Sequence, residues 1–371
     1  MILFKKFDET NFHPLSFSKK ISSLKSGIYS LNNRVNFKNL PNNLNFEFRS
    51  NLIDIDLSKY KKNKSYYNGD KFLFSVYEKN YNKKNMEKIQ FEGHYLMADY
   101  IWDYLHHAGK MIKKDLKIYK KNNNIKDLKN INFEIVGRKK ELILNENTKV
   151  FPGVIFDTTN GPIIIDEGSV IKPYSYIQGP AYIGKNSTID DCKIRENTSI
   201  GDVCKISGEV ENSIISSYTN KHHGGFIGHS YIGSWVNLGA FTTNSDLKNN
   251  YGNVKVNLTG IEKINTKKLK VGSFIGDHVK TGIGTLLNTG TYIGFGALLY
   301  GGGVFPKFIP SFSWADNNSW DCYKIDKFIN NEKKVMKRRS ISMDNKYKEM
   351  IRSIYKKTKI ERDEGVQLWE T

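Results

Sequence analysis

The sequence predicts a mainly β protein built around a parallel solenoid of six-residue repeats, and three observations carry that prediction. Apolar residues recur every six positions at Ile165, Ile171, Ile177, Ile183 and Ile189, then, after a one-residue slip, at Ile194, Ile200 and Ile206. A second array runs Ile275, Thr281, Leu287, Ile293, Leu299 and Phe305. Glycine repeatedly follows the apolar position, as at Ile183-Gly184, Ile200-Gly201, Ile232-Gly233 and Ile293-Gly294.

A period of six does not suit an amphipathic helix, whose turn is 3.6 residues. It suits a short strand followed by a tight bend, with one apolar side chain per repeat aimed into a narrow core. No repeat can bury its apolar face alone, so stacked coils supply the core together. Two stretches break the period, 207–225 (SGEVENSIISSYTNKHHGG) and 246–271 (DLKNNYGNVKVNLTGIEKINTKKLKV). Loops pushed out of a solenoid are the natural place for a site.

The flanks read differently. Residues 1–90 mix short apolar runs with polar loops and look α/β. Tyr95–Tyr119 reads as a helix with Ile101, Leu105, Ala108, Ile112, Leu116 and Tyr119 on one face. After Pro306 and Pro310 two amphipathic helices follow, one carrying Ile325, Phe328, Ile329, Val335 and Met336, the other Tyr347, Met350, Ile351, Ile354 and Tyr355. They are expected to close the solenoid's open end, which would otherwise expose strand edges. The chain thus divides into an α/β region at 1–124, a linker at 125–150, the solenoid at 151–310 and a helical cap at 311–371.

Composition narrows the function classes. The formal net charge is +19 over 371 residues. Lysine is spread along the whole chain rather than gathered with aromatics on one face, so no nucleic-acid partner is expected. The densest run, 333–339 (KKVMKRR), reads as a solvated helix face. No apolar stretch is long enough to span a membrane, and the N-terminus lacks the apolar core of a signal peptide. Three scattered cysteines, Cys192, Cys204 and Cys322, make no disulfide framework, so the cytoplasm is the expected compartment.

The strongest chemical constellation is 220–228 (NKHHGGFIG), followed by 236–251 (VNLGAFTTNSDLKNNY). Acyl transfer to an amine needs a base, and histidine titrates near neutrality. It also needs donors for a developing oxyanion, and backbone N–H groups at Gly239-Ala240 suit that role. Asn237 and Asn244 could orient sugar hydroxyls, and Lys248 could hold a phosphate. The plainer readings stand beside these. His222-His223 could be surface or structural histidines, and Asn237 and Asn244 could stack as ladders within the coils. A metal site from His222, His223 and His229 lacks carboxylate or cysteine ligands, so no metal is expected. His106-His107 reads as polar helix surface.

These runs, together with 208–215 (GEVENSII), 310–314 (PSFSW) and 100–103 (YIWD), resemble a divergent branch of the bifunctional N-acetylglucosamine-1-phosphate uridyltransferase/glucosamine-1-phosphate N-acetyltransferase family. The resemblance implies a left-handed β-helix, a homotrimer and acetyl-CoA as acyl donor. It places His223 at the catalytic base. It sets Asn237 and Asn244 near the acetyl donor and sugar, Ala240 at the backbone contact to the acetyl group, and Gly301 against the coenzyme A arm. Arg195 is a loose counterpart of a phosphate-binding arginine. The family's sugar-site tyrosine is Phe226 here, and the tyrosine after the sugar-site asparagine is Ser245. The N-terminal region resembles a degenerate nucleotidyltransferase domain: 5–20 (KKFDETNFHPLSFSKK) has no glycine, and Lys19 stands where an arginine is common. Mg²⁺ would be needed only if nucleotidyl transfer were retained.

Three functions are therefore weighed. The first is an acetyltransferase acting on an amino-sugar 1-phosphate, with glucosamine 1-phosphate favoured. The second is a sugar-1-phosphate nucleotidyltransferase using the solenoid to oligomerise. The third is a non-catalytic sugar-phosphate binder, since fold does not fix function.

Overall fold

Isoleucine at every sixth position stacks directly on itself. In the computed structural model, which describes residues 1–128 and 132–365, nine short strands from Leu142–Leu144 to Phe308–Ile309 form one parallel sheet. Its register aligns Ile165, Ile183, Ile200, Ile215, Ile232, Ile275, Ile293 and Ile309 in one column. A second column runs Val150, Ile171, Ile189, Ile206 and Lys221 and continues through Leu238, Thr281, Leu299 and Ala315. The third holds Phe156, Ile177, Ile194, Val210 and Ile227, then Asn244 and Leu287. The three columns face one another in a single apolar core. They make a parallel β-solenoid, as the six-residue period predicts.

The coils reach beyond the periodic region at both ends. Strands Glu134–Val136, Leu142–Leu144 and Lys149–Val150 pair with the next coil, within the segment read as a linker. At the far end Ser313–Ala315 joins the stack, and Trp320–Cys322 folds back on it antiparallel.

Of the two expected interruptions, only one leaves the solenoid. Residues 207–225 stay in it: Lys205–Glu211, Ile214–Ile215, Asn220–Lys221 and Phe226–Gly228 all pair in register with their neighbours. The period looked broken because Lys221 occupies an isoleucine position and because the corner lengths change. Residues 246–271 do leave, forming an antiparallel hairpin of Lys255–Asn257 with Lys263–Asn265.

In the N-terminal region, Ile2–Lys5 and its neighbours form a five-stranded mixed sheet. Helix α1 (Leu31–Asn36) precedes the long helix α2 (Ile101–Asn122). Helix α2 starts six residues later than its periodicity suggested. Tyr95–Met97 is a strand paired with Leu52–Ile55, and the Asp103 carboxylate accepts from the Asp99 and Tyr100 N–H groups to fix the start. The apolar face of α2 covers the outward side chains of the nine-stranded sheet. Ile112 and Tyr119 pack with Ile143, Ile164 and Tyr182. Trp102, Leu105, Ala108 and Met111 pack with Ile214, Tyr231 and Phe274, joined by Val254 and Val256 of the hairpin. A buried fork secures the arrangement: Arg34 donates to both Asp115 oxygens, at 2.8 and 2.7 Å, and to the Ile53 carbonyl at 2.9 Å.

Helices α3 (Ile325–Lys337), α4 (Asn345–Lys357) and α5 (Lys359–Gly365) do not sit over the open end as expected. They lie along one corner of the later coils, where Trp235, Phe295 and Phe312 form an aromatic cluster with Phe328, Met336, Ile351 and Ile354. His278, fully buried, ties them down: it bonds Glu332 at 2.6 Å and the Tyr347 hydroxyl at 2.7 Å. No helix among the described residues is long and apolar enough to cross a membrane.

Candidate functional site

The bend after the second column repeats through four successive coils, and it collects three of the expected site residues. Counting two residues past Lys221, Leu238, Thr281 and Leu299 gives His223, Ala240, Ile283 and Gly301. Backbone bonds tie these bends together: Phe241 N–H donates to Gly224 O at 2.9 Å, Gly284 to Ala240 O at 2.8 Å, and Gly303 to Gly284 O at 3.0 Å. With coils about 4.8 Å apart, His223 and Gly301 lie on one edge roughly 14 Å apart. Gly225 is required here. Its φ is 118°, and a Cβ would come within 2.4 Å of the Thr242 carbonyl.

The two histidines of the bend are not equivalent. His222 Nε2 lies 3.3 Å from Asp190 Oδ2, and Asp190 also holds Lys172 at 2.7 Å. The Asp190 carboxyl is held below its usual range by Lys172 first and by His222 after it. His223 is exposed, and among the described residues its ring touches only His222, at 5.8 Å between centroids. An exposed imidazole without a bound partner is free to meet a substrate, whereas the His222 ring is turned toward Asp190 with its Nε2 buried. Of the two proposed oxyanion donors, Gly239 N–H is already bonded to Thr281. Ala240 N–H makes no hydrogen bond among the described residues.

Beneath the bend lies a residue that the sequence analysis passed over. Lys221 is 1% exposed. Its Nζ donates to three carbonyls, Ser207 at 2.7 Å, His223 at 3.1 Å and Gly225 at 2.7 Å. The signal was present, as a lysine interrupting a column of isoleucines. Burial pushes its ammonium down to about 8, and three carbonyl acceptors oppose that shift by favouring the charged form.

Other expected residues fall elsewhere. Asn244 is 1% exposed and turned into the core. Its Oδ1 accepts from Gly228 N–H at 2.9 Å, and its Nδ2 donates to the Gly228 and Ser245 carbonyls. Of the two readings its sequence left open, Asn244 thus has the contacts of a ladder residue. Asn237 is exposed on the outer face of the second column, 3.4 Å from Asn220, which in turn accepts from Arg339 of the C-terminal helical region at 2.8 Å. Phe226 faces outward one coil above Glu209, and its ring folds over Gly228. Arg195 pairs with Glu209 at 3.6 Å. Lys248 lies past the next corner, in the excursion, where it donates to Asn253 O at 2.8 Å. The expected site is therefore concentrated at His223, Ala240 and Gly301, with Asn237 beside it. Arg195 and Lys248 are not at this bend in a single chain.

The histidine trio considered for a metal is also divided. His229 sits one corner on from His223, between Asp246 at 2.6 Å and Asn212 at 3.2 Å. There it lines a cavity of about 250 Å³ with Trp102, His106 and Lys270. No cluster of three metal-ligating side chains occurs among the described residues. His106 therefore faces a cavity, and burial lowers the neighbouring His107 to about 4, so this pair is not simply polar helix surface.

In the N-terminal region, the segment compared with a nucleotide-binding loop is occupied by the solenoid. Ser18 Oγ donates to Asp277 at 2.6 Å, and Lys19 pairs with the same carboxylate. Asp277 also accepts from Ser234 N–H at 2.6 Å.

No family model matches the chain. Curated relatives do. The chain is 40% identical over 151 residues to the bifunctional sugar-1-phosphate nucleotidylyltransferase/acetyltransferase of Sulfurisphaera tokodaii, covering 39% of this chain and 36% of that protein. It is 31% identical over 196 residues to the bifunctional protein GlmU of Methanococcus aeolicus, covering 47% and 45%. Among solved structures, UDP-N-acetylglucosamine acyltransferase from Campylobacter jejuni is similar at 12% identity and a TM-score of 0.30, over 58% of this chain and 81% of that one. That structural likeness is too slight to bear on function. The chain spans less than half the length of these two curated relatives, and it is a distant homologue of the bifunctional sugar-1-phosphate nucleotidylyltransferase/acetyltransferase family.

Proposed function

We propose that the chain is an acyltransferase that moves an acetyl group from acetyl-CoA to the amine of an amino-sugar 1-phosphate, with glucosamine 1-phosphate the favoured acceptor. The observation that carries the reading is the placement of His223, Ala240 and Gly301 at equivalent positions of one bend. An extended acyl-CoA laid along that edge would pass Gly301, where no side chain blocks it, and present its thioester near Ala240. The exposed imidazole of His223 takes a proton from the attacking amine. The amine nitrogen forms the new bond to the carbonyl carbon, the Ala240 N–H donates to the developing oxyanion, the C–S bond breaks, and the His223 imidazolium returns its proton to the departing sulfur to release the thiol. The acetyltransferase named in the relatives supports this assignment.

A homotrimer with sites between subunits fits the same edge. Phe241, Ile283, Leu286 and Val304 stand exposed in neighbouring coils, and a contiguous apolar strip of this kind marks a contact surface. Nucleotidyl transfer is disfavoured by the engagement of Ser18 and Lys19 with Asp277. The N-terminal region on this reading is a docking module.

The test is release of free thiol from acetyl-CoA with glucosamine 1-phosphate, run with His223→Ala and His222→Ala. Turnover should fall by about a hundredfold or more in His223→Ala and by far less in His222→Ala. Full turnover by His223→Ala would remove the base from this bend.

A further inference from the structure

The bend that carries His223 rests on a mismatch between coils. From the second column to the third, the chain takes six residues between Ile171 and Ile177, five between Ile189 and Ile194, and four between Ile206 and Val210. The next coil returns to six, from Lys221 to Ile227. The His223 bend therefore overhangs a corner that is two residues shorter, and its inner carbonyls cannot all ladder onto the coil below. Buried carbonyls left without donors are costly. One side chain reaches into this gap.

We infer that Lys221 is the positioning residue of the site: its buried ammonium gathers the carbonyls of Ser207, His223 and Gly225, and so fixes the bend that aims the His223 imidazole. An ammonium offers three donors and no acceptor, which matches three carbonyls and leaves nothing unsatisfied. Two of the three belong to the bend itself, and one of these is the carbonyl of His223. The third, Ser207, belongs to the shortened corner below, so the lysine bridges the two coils beside the one ladder bond there, from Glu209 N–H to Gly225 O at 3.1 Å, and donates to the Ser207 and His223 carbonyls as well. Room for it comes from Gly208, where a Cβ would lie 2.7 Å from Lys221 Nζ. For packing alone an apolar residue would do at this place, since Ile206 lies below it and Leu238 above, but it would leave the Ser207 and His223 carbonyls without this donor. The lysine is thus in excess of what packing requires.

The inference rests on His223 acting as the base, and the experiment separates the two. Lys221→Met, Lys221→Gln and His223→Ala are compared in full-length protein for melting temperature, thiol release, and the ring signals of His223 in a ¹H–¹³C spectrum. Lys221→Met, which takes the donor from the Ser207 and His223 carbonyls, should melt lower than the parent while remaining folded. Its kcat should fall at least tenfold with KM for acetyl-CoA unchanged, and the His223 ring signals should shift or broaden. Lys221→Gln, which keeps two donors, should lose less, and it carries the comparison if the methionine variant folds poorly. Unchanged His223 signals in a folded Lys221 variant would overturn the assignment, whatever the activity. A parent-like kcat in that variant would do the same, provided His223→Ala is inactive. If His223→Ala keeps full turnover, the catalytic reading fails instead, and the ring signals alone decide whether Lys221 holds the bend.

Discussion

A carboxamide in an apolar column must find partners for its oxygen and its nitrogen, and Asn244 finds them all on backbone. It follows Ile227 and precedes Leu287, and its bonds to Gly228 replace the packing an isoleucine would give. Asn244→Ala should therefore destabilise the protein by about 2 kcal/mol, through an unsatisfied Gly228 N–H and a small cavity. Urea denaturation measures this, and a stable, inactive Asn244→Ala would return the residue to the substrate site. His223, Ala240 and Gly301 were named from a family resemblance, and their common bend follows from a constant two-residue offset past the second column. For Asn244 the sequence left a sugar contact and a ladder both open, because an asparagine looks the same in a sequence whether it points inward or outward. Lys221 was missed for the opposite reason. A charged residue at a core position reads as the end of a repeat, when here the coil continues through it.

At the scale of elements, helix α2 is the part whose placement depends most on a few polar contacts. Its Asp115 is fully buried and accepts from Arg34 as well as from the Ile28 and Tyr29 N–H groups. Arg34→Met would leave that carboxylate without its cation in an apolar setting. The expected loss is about 3–5 kcal/mol, read as a lowered urea midpoint, whereas replacing both partners by apolar residues should recover part of it. The existence of α2 was legible from its apolar spacing, but its start was not. Tyr95–Met97 carries apolar residues that also suit a helix, and only pairing with Leu52–Ile55 makes it a strand. The C-terminal helices were legible too, yet their position was not. The aromatic corner they cover is built from Trp235, Phe295 and Phe312, which lie far apart in sequence and share no period that singles them out.

Across the whole molecule, two buried carboxylates fasten the flanking regions to the solenoid. Asp277 holds the N-terminal region through Ser18 and Lys19, and Glu332 holds His278 and Lys280 of the solenoid to helix α3. Burial acts to raise both carboxyls, but the cations and donors around them outweigh it, and both are held below their usual range. A carboxyl depressed on folding contributes stability at pH above its unfolded value. That contribution is lost as pH falls through the folded value. His13, desolvated against Phe17 and lowered to about 4, has the same sign, so its share begins to fade below about 6.5. Acid should therefore weaken the docking of both flanks. Trp235, stacked on His278 with the rings 7° from parallel, reports the C-terminal side by fluorescence. Glu332→Gln should flatten the acid limb of that signal, and an unaltered limb would show that the fastening lies elsewhere.

The antiparallel return of Trp320–Cys322 on Ser313–Ala315 matters for what the molecule does not do. A stack of parallel strands is a template whose last member can recruit another like itself, and on the face that ends in Ser313–Ala315 an uncovered last rung would invite end-to-end pairing. A strand running the other way presents a hydrogen-bonding pattern that a further parallel rung cannot match, and Trp320 packs against the core as the final layer. On that face the reversal closes the last coil and keeps a structure made of repeats from repeating through its neighbours.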